Sequence, residues 1–206
     1  MDFSFTQDQE TLRVHLNKLL DEVCPPEYAE RCDNDATPPR EAYQALAQHG
    51  WFGLILPAEY GGTGGSAIDL AILLEETGRH FEELAVWLFR TLTYGGYAVM
   101  TNGTREQKEN LLPRLIRGEL SFCFGLTEPH SGSDAAALTT RATAADGGYV
   151  INGQKVFTSG MDISDYCLLI ARTSTGAKKQ QGITNFLVDT KLPGIEVRKI
   201  KTLGQR

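Results

Sequence analysis

No stretch of the 206 residues approaches the roughly 20 consecutive apolar residues needed to cross a bilayer. The opening MDFSFTQDQE is acidic and holds no apolar core of the kind a secretory signal requires. Basic charge is also scarce: 20 Lys and Arg stand against 26 Asp and Glu, a net charge of −6. Lys178 and Lys179 form an isolated pair that reads as a solvated loop, so nucleic acid is excluded as the main partner. Cysteine is sparse, with Cys24, Cys32, Cys123 and Cys167 and no CxxC among them. That pattern points to neither a zinc site nor a disulfide framework, and it suits reduced thiols in the cytoplasm. The expectation is a cytoplasmic protein with no membrane span. Its 41% hydrophobic and 22% charged residues are ordinary for a folded chain of one large or two modest domains.

Helical punctuation fills the first part of the chain. Thr6 stands three residues before Gln9 in a capping box, and Leu12, Leu16, Leu19, Leu20 and Val23 follow at helical spacing until Pro25 and Pro26. A second helix is expected from Thr37, with Ala42, Tyr43, Leu46 and Ala47 on one face and a stop at Gly50. Ser66 with Asp69, and Thr104 with Gln107, open two more, and a fifth is expected over 82–100, weakened by Gly95 and Gly96. This predicts a helical bundle over 1–117. Within it, Gly62 to Ala67 fits GxGxxA, with Glu83 near the distance of a ribose-binding acid. A dinucleotide site needs a strand after its helix, whereas here more helix follows, which favours a tight turn into the Ser66 helix.

Beyond Gly118 short β-rich runs alternate with turn signals, which predicts a small antiparallel sheet or barrel over 118–206. Asp146-Gly147-Gly148 is read as a turn separating the run 138–145 from 149–151, Asn152-Gly153 predicts a hairpin between 149–151 and 155–157, and further strands are expected at 166–172, 184–188 and 195–200. The fold class is therefore α+β. The final KTLGQR directly follows a run read as a strand, so the expected β domain has an incomplete edge, to be finished by further chain or by another chain.

Two words carry the chemistry. SFCFGLTEPHSGSD, residues 121–134, passes from an apolar strand-like run into a loop of short polar side chains and backbone donors. KVFTSG, residues 155–160, sets an aromatic, Phe157, and a hydroxyl, Ser159, on one side of a strand by alternation. A planar isoalloxazine needs such a face to lie against and a donor at its edge.

Together FGLTEPHSGSD, YVINGQKVFTSG, PAEYGG and GTREQKENLLPRLIRGEL resemble the acyl-CoA dehydrogenase family, in order and over essentially the whole chain. The resemblance implies FAD as cofactor, with Phe124, Leu126 and Thr127 lining the flavin and Ser133 contacting both acyl-CoA and cofactor. It implies that Phe157 lies beside the flavin and that Thr158 and Ser159 meet its edge. The family usually carries Trp, Ile and Thr where this chain has Phe157, Thr158 and Ser159. Phe157 keeps the ring face without the indole donor, and Ser159 keeps the hydroxyl without the methyl that stiffens its rotamer.

The implied reaction converts an acyl-CoA thioester to the 2-enoyl-CoA, as in fatty acid metabolism, with electrons passing to an electron-transfer flavoprotein. A homo-oligomer, tetramer or dimer, is implied as well. In the family the catalytic base is a Glu on a C-terminal helical domain, which would lie beyond Arg206, so no catalytic residue is assigned within these 206. Glu128 is the tempting substitute, but its place in TEP is structural in the family. Two alternatives stay open: a flavin oxidase or monooxygenase of the same fold, and a truncated, non-catalytic partner subunit.

Overall fold

The computed structural model describes residues 4–202, which leaves the first three residues of MDFSFTQDQE and the last four of KTLGQR outside it. The described chain divides into a helical unit, residues 4–121 together with Thr202, and a β unit, Phe122–Lys201.

In the helical unit, α1 (Gln7–Val23) opens on the Thr6–Gln9 capping box, with both reciprocal hydrogen bonds formed, and buries Leu16, Leu19 and Leu20. The two prolines that stop α1 also start a helix that the apolar spacing did not announce. Pro26 takes the first position of α2 (Pro26–Asn34), where a missing N–H is harmless. Helix α3 (Arg40–Gln48) starts later than Thr37 because Pro39 becomes its cap, and it buries the expected Ala42, Tyr43, Leu46 and Ala47. Helix α4 (Ala67–His80) carries the Ser66–Asp69 box, and α5 (Glu82–Phe89) follows it directly with no strand between.

The GxGxxA segment is accordingly the tight turn. A Cβ at Gly65 would fall 2.6 Å from the Leu54 carbonyl oxygen, so only glycine lets the chain pass there. The single helix expected over 82–100 is α5, then a π-helical stretch (Arg90–Tyr97) that contains Gly95 and Gly96, then α6 (Ala98–Asn102). Helix α7 (Arg105–Ile116) begins at the Thr104–Gln107 box. The core is centred on Tyr43, whose ring stacks on Trp87 at 4.0 Å and meets Phe52 edge-on at 4.6 Å. Glu76, buried on α4, is held by Arg13 at 2.7 Å and Asn17 at 3.0 Å, which ties α1 to α4.

The β unit has β1 (Phe122–Gly125), β2 (Arg141–Ala145), β3 (Gly148–Asn152), β4 (Tyr166–Arg172) and β5 (Ile183–Asp189). The sheet is mixed, which corrects the antiparallel expectation. β4 runs parallel to β1 from Phe122↔Tyr166 to Gly125↔Leu169 and meets β2 in parallel at Arg141↔Arg172, while β5 pairs with it antiparallel along its length. Turn signals report only local reversals, whereas β1 and β4 are joined by a long crossover that permits parallel pairing.

The hairpin lies at Asp146-Gly147, between β2 and β3, and not at Asn152-Gly153. Gly153 serves a close approach instead, since a Cβ there would lie 2.7 Å from Thr140 Cα. Residues 155–157 form no strand, and neither do 195–200. Among the described residues no helix is long and apolar enough to cross a membrane, and no cluster of His, Cys, Asp and Glu could hold a metal ion. None of the four cysteines is in a disulfide, and all four are buried.

Candidate functional site

Strand β1 delivers the first word from the core. Phe122, Cys123 and Gly125 are buried and Phe124 is half-buried, and the chain then leaves the sheet at Leu126 and Thr127, both half-buried. The second word lies alongside it. The Val156 N–H donates to the Thr127 carbonyl at 2.8 Å. The Lys155 ammonium donates to the Leu126 carbonyl at 3.0 Å and to Glu128 Oε1 at 2.9 Å. Thus the two words, about 30 residues apart in sequence, are clasped by one buried cation.

Glu128 sits at the centre of this clasp. Its Oε2 accepts from the Thr139 N–H at 2.6 Å and the Thr139 hydroxyl at 2.8 Å, while Oε1 accepts from the Thr140 N–H at 2.8 Å as well as from Lys155. Burial alone would raise its pKa, but the hydrogen bonds from Thr140, Thr139 and Lys155 outweigh that and hold it far below the usual carboxylate range. A carboxylate so fully satisfied is a poor proton acceptor. The geometry therefore makes Glu128 a structural anchor.

From this anchor the loop turns on itself. Glu128 and Ser131 exchange main-chain hydrogen bonds at 2.9 and 3.1 Å, and the Ser131 hydroxyl donates to the Asp134 carbonyl at 2.8 Å. Gly132 and Ser133 are left exposed at the tip.

Across from it, Phe157 adopts φ +58, the left-handed region that a bulky side chain rarely enters, and its ring is 73% exposed. The strand alternation expected to align Phe157 with Ser159 does not operate here. The backbone turns instead, with the Ser159 N–H bonding to the Phe157 carbonyl at 2.9 Å. Ser159 is exposed, and the Thr158 Oγ1 is buried without a hydrogen-bond partner among the described residues. The clasp therefore brings Leu126 and Thr127 up against the segment that carries Phe157, Thr158 and Ser159, and Ser133 stands apart at the loop tip.

Sequence reasoning missed Lys155 as the residue that joins the words, and also missed the donors Thr139 and Thr140. The available signal was a lone Lys before an apolar pair and the first of two carboxylates in the loop that follows β1. Charge complementarity of that kind shows only once the chain is folded.

Models of known families match nearly all of the chain. Residues 6–119 match the acyl-CoA dehydrogenase N-terminal domain, and residues 123–206 match the acyl-CoA dehydrogenase middle domain. A 3-(aryl)acrylate reductase of Clostridium sporogenes is 36% identical over 195 residues, which are 95% of this chain and 51% of that protein. Acyl-CoA dehydrogenase FadE26 of Mycobacterium tuberculosis is 35% identical over 213 residues, covering 99% of this chain and 52% of that protein. Among solved structures, the ChsE4-ChsE5 complex of Mycobacterium tuberculosis contains a similar chain, with TM-score 0.85 and 36% identity, covering 100% of this chain and 53% of that one. The chain spans about half the length of these relatives.

Proposed function

Because this chain belongs to the acyl-CoA dehydrogenase family, we propose that it supplies part of the flavin and thioester site of an FAD-dependent acyl-CoA dehydrogenase. That enzyme would convert an acyl-CoA to the 2-enoyl-CoA. One observation carries the reading: the Lys155–Glu128 clasp, with the Val156–Thr127 bond, sets two separate polar segments side by side.

The donor set fits a flavin. Thr158 Oγ1 is a buried hydroxyl without a hydrogen-bond partner among the described residues, and next to it Phe157 holds an exposed ring in a strained backbone. Strain kept at an exposed aromatic is a mark of function. Phe124, Leu126 and Thr127 would line one side of the ring system, Phe157 its face, and Thr158 and Ser159 its polar edge. FAD, when bound, supplies a two-electron acceptor for the substrate's β-hydrogen. Exposed Ser133 would meet the thioester ligand and the cofactor at the loop tip.

In this reading Glu128 does not serve as the base, which its hydrogen bonds from Thr139, Thr140 and Lys155 support. The α-proton would go to a carboxylate outside these 206 residues. Electrons would leave to an electron-transfer flavoprotein in the cytoplasm, from a homo-oligomer. A second reading, a partner subunit that completes another chain's site, is supported by the similarity to a chain of the ChsE4-ChsE5 complex. The test is an anaerobic assay of a panel of acyl-CoA thioesters with an artificial electron acceptor. Turnover of a thioester supports the dehydrogenase reading, and turnover that appears only on mixing with a second chain supports the partner reading. In a parallel aerobic assay without the artificial acceptor, oxygen consumption matching turnover would instead mark an oxidase, and no rate with any thioester in either assay sinks both dehydrogenase readings.

A further inference from the structure

The loop that carries Ser133 is fastened at its base by Glu128, but its return limb is held from another strand. At the end of β4, the Arg172 guanidinium donates to four main-chain carbonyls: Ala136 at 2.8 Å, Leu138 at 3.4 Å, Lys179 at 3.1 Å and Gln181 at 3.0 Å. The first two lie on the return limb, and the other two lie on the turn between β4 and β5. A guanidinium is a rigid planar fork of five donors, so it can hold several carbonyls in fixed mutual positions where an ammonium cannot.

The same turn makes a second tie. Lys179 Nζ lies 2.7 Å from both carboxylate oxygens of Asp134, the residue after Ser133. Exposed as it is, that pair contributes little alone, but it closes a loop already pinned by Arg172.

We propose that Arg172, with Lys179 as its outer tie, is a positioning residue that fixes the Ser133 tip on the sheet so that it meets a coenzyme A thioester in one pose. An unbraced loop would have to be ordered at each binding event, which weakens binding more than it slows turnover of bound substrate. The role in thioester binding rests on the proposed function, whereas the brace itself does not.

The test compares wild type with Arg172→Ala, Arg172→Lys and Lys179→Met, each as purified with its flavin. Three quantities are read: KM and kcat for the best thioester of the panel, the Kd of free coenzyme A by calorimetry, and hydrogen–deuterium exchange across 131–139. Arg172→Ala is expected to raise KM and Kd about tenfold with kcat changed less than about threefold. It should also speed exchange at 131–139 while β4 and β5 stay protected. Arg172→Lys should recover part of the loss, and Lys179→Met should shift KM the same way by less. Unchanged KM, or a fall in kcat alone, overturns the proposal. Where Arg172→Ala does not fold, the other two variants decide. Where wild type turns over no thioester, the functional reading fails and exchange decides: unchanged exchange at 131–139 in Arg172→Lys and Lys179→Met overturns the brace, and faster exchange supports it.

Discussion

Lys155 Nζ lies 2.9 Å from Glu128 Oε1, with the two side chains only 9% and 1% exposed. A buried pair of this kind adds little against an apolar replacement of both partners, yet removing one partner strands the other charge. Lys155→Met is therefore expected to destabilise the β unit by about 3 kcal/mol, and it should also release Leu126 and Thr127 from the segment that carries Phe157. Denaturant unfolding measures the first effect and FAD titration the second. A loss below about 1 kcal/mol would mean that the pair behaves like a surface ion pair.

The low pKa of Glu128 makes stability depend on pH with a definite sign. Its folded pKa lies below the unfolded one, so the unfolded chain binds the proton more readily. The contribution is full at neutral pH, begins to fade as acidity passes about pH 5, and is lost as the folded carboxylate is protonated. Glu128→Gln should be less stable than wild type at pH 7, with a flatter stability curve from about pH 5 downward. Parallel acid slopes for the two proteins would show that other carboxylates set the acid limit.

What was legible in the sequence follows how local each signal is. The capping boxes at Thr6, Ser66 and Thr104 depend on residues three apart, and all three formed. The buried face of α3 also follows from local spacing. Helix α2 was hidden because Pro26 reads equally as a stop and a start. The parallel β1–β4 pairing could not be read, because it joins residues over 40 apart and no turn signal marks it. At the candidate site the words TEP and KVFTSG were legible, but the clasp that joins them was not. It depends on where Lys155 lands, and the Asn-Gly reading placed Lys155 in a hairpin arm that does not exist.

Phe157 should show a trade between stability and binding. Holding a non-glycine residue at φ +58 costs about 1–2 kcal/mol. At 73% exposure its ring recovers little of that by burial. Phe157→Gly is expected to unfold at a higher temperature than wild type when both are free of flavin, while its FAD affinity falls. Thermal melts with and without FAD check both halves. A variant no more stable than wild type would show that the backbone there is not strained.

Gly153 and Gly147 allow a controlled comparison. Both stand in dipeptides that signal turns, Asn-Gly and Asp-Gly, but only Gly147 serves a hairpin. Around Gly147, at φ +81, nothing lies within 4 Å of an added Cβ, so Gly147→Ala should carry only the left-handed penalty of about 1–2 kcal/mol. At Gly153 the added carbon would fall 2.7 Å from Thr140 Cα, and backbone must move to admit it. Thr140 cannot move freely, because its N–H is one of the donors that hold the Glu128 carboxylate. Gly153→Ala should therefore cost at least as much, about 1–3 kcal/mol from overpacking, and should loosen the Glu128 anchor as well. FAD affinity should fall in Gly153→Ala and hold in Gly147→Ala, which separates damage to the site from damage to the fold. If calorimetric melts and FAD titrations of the two variants cannot be told apart, the close approach to Thr140 is not what requires glycine at position 153.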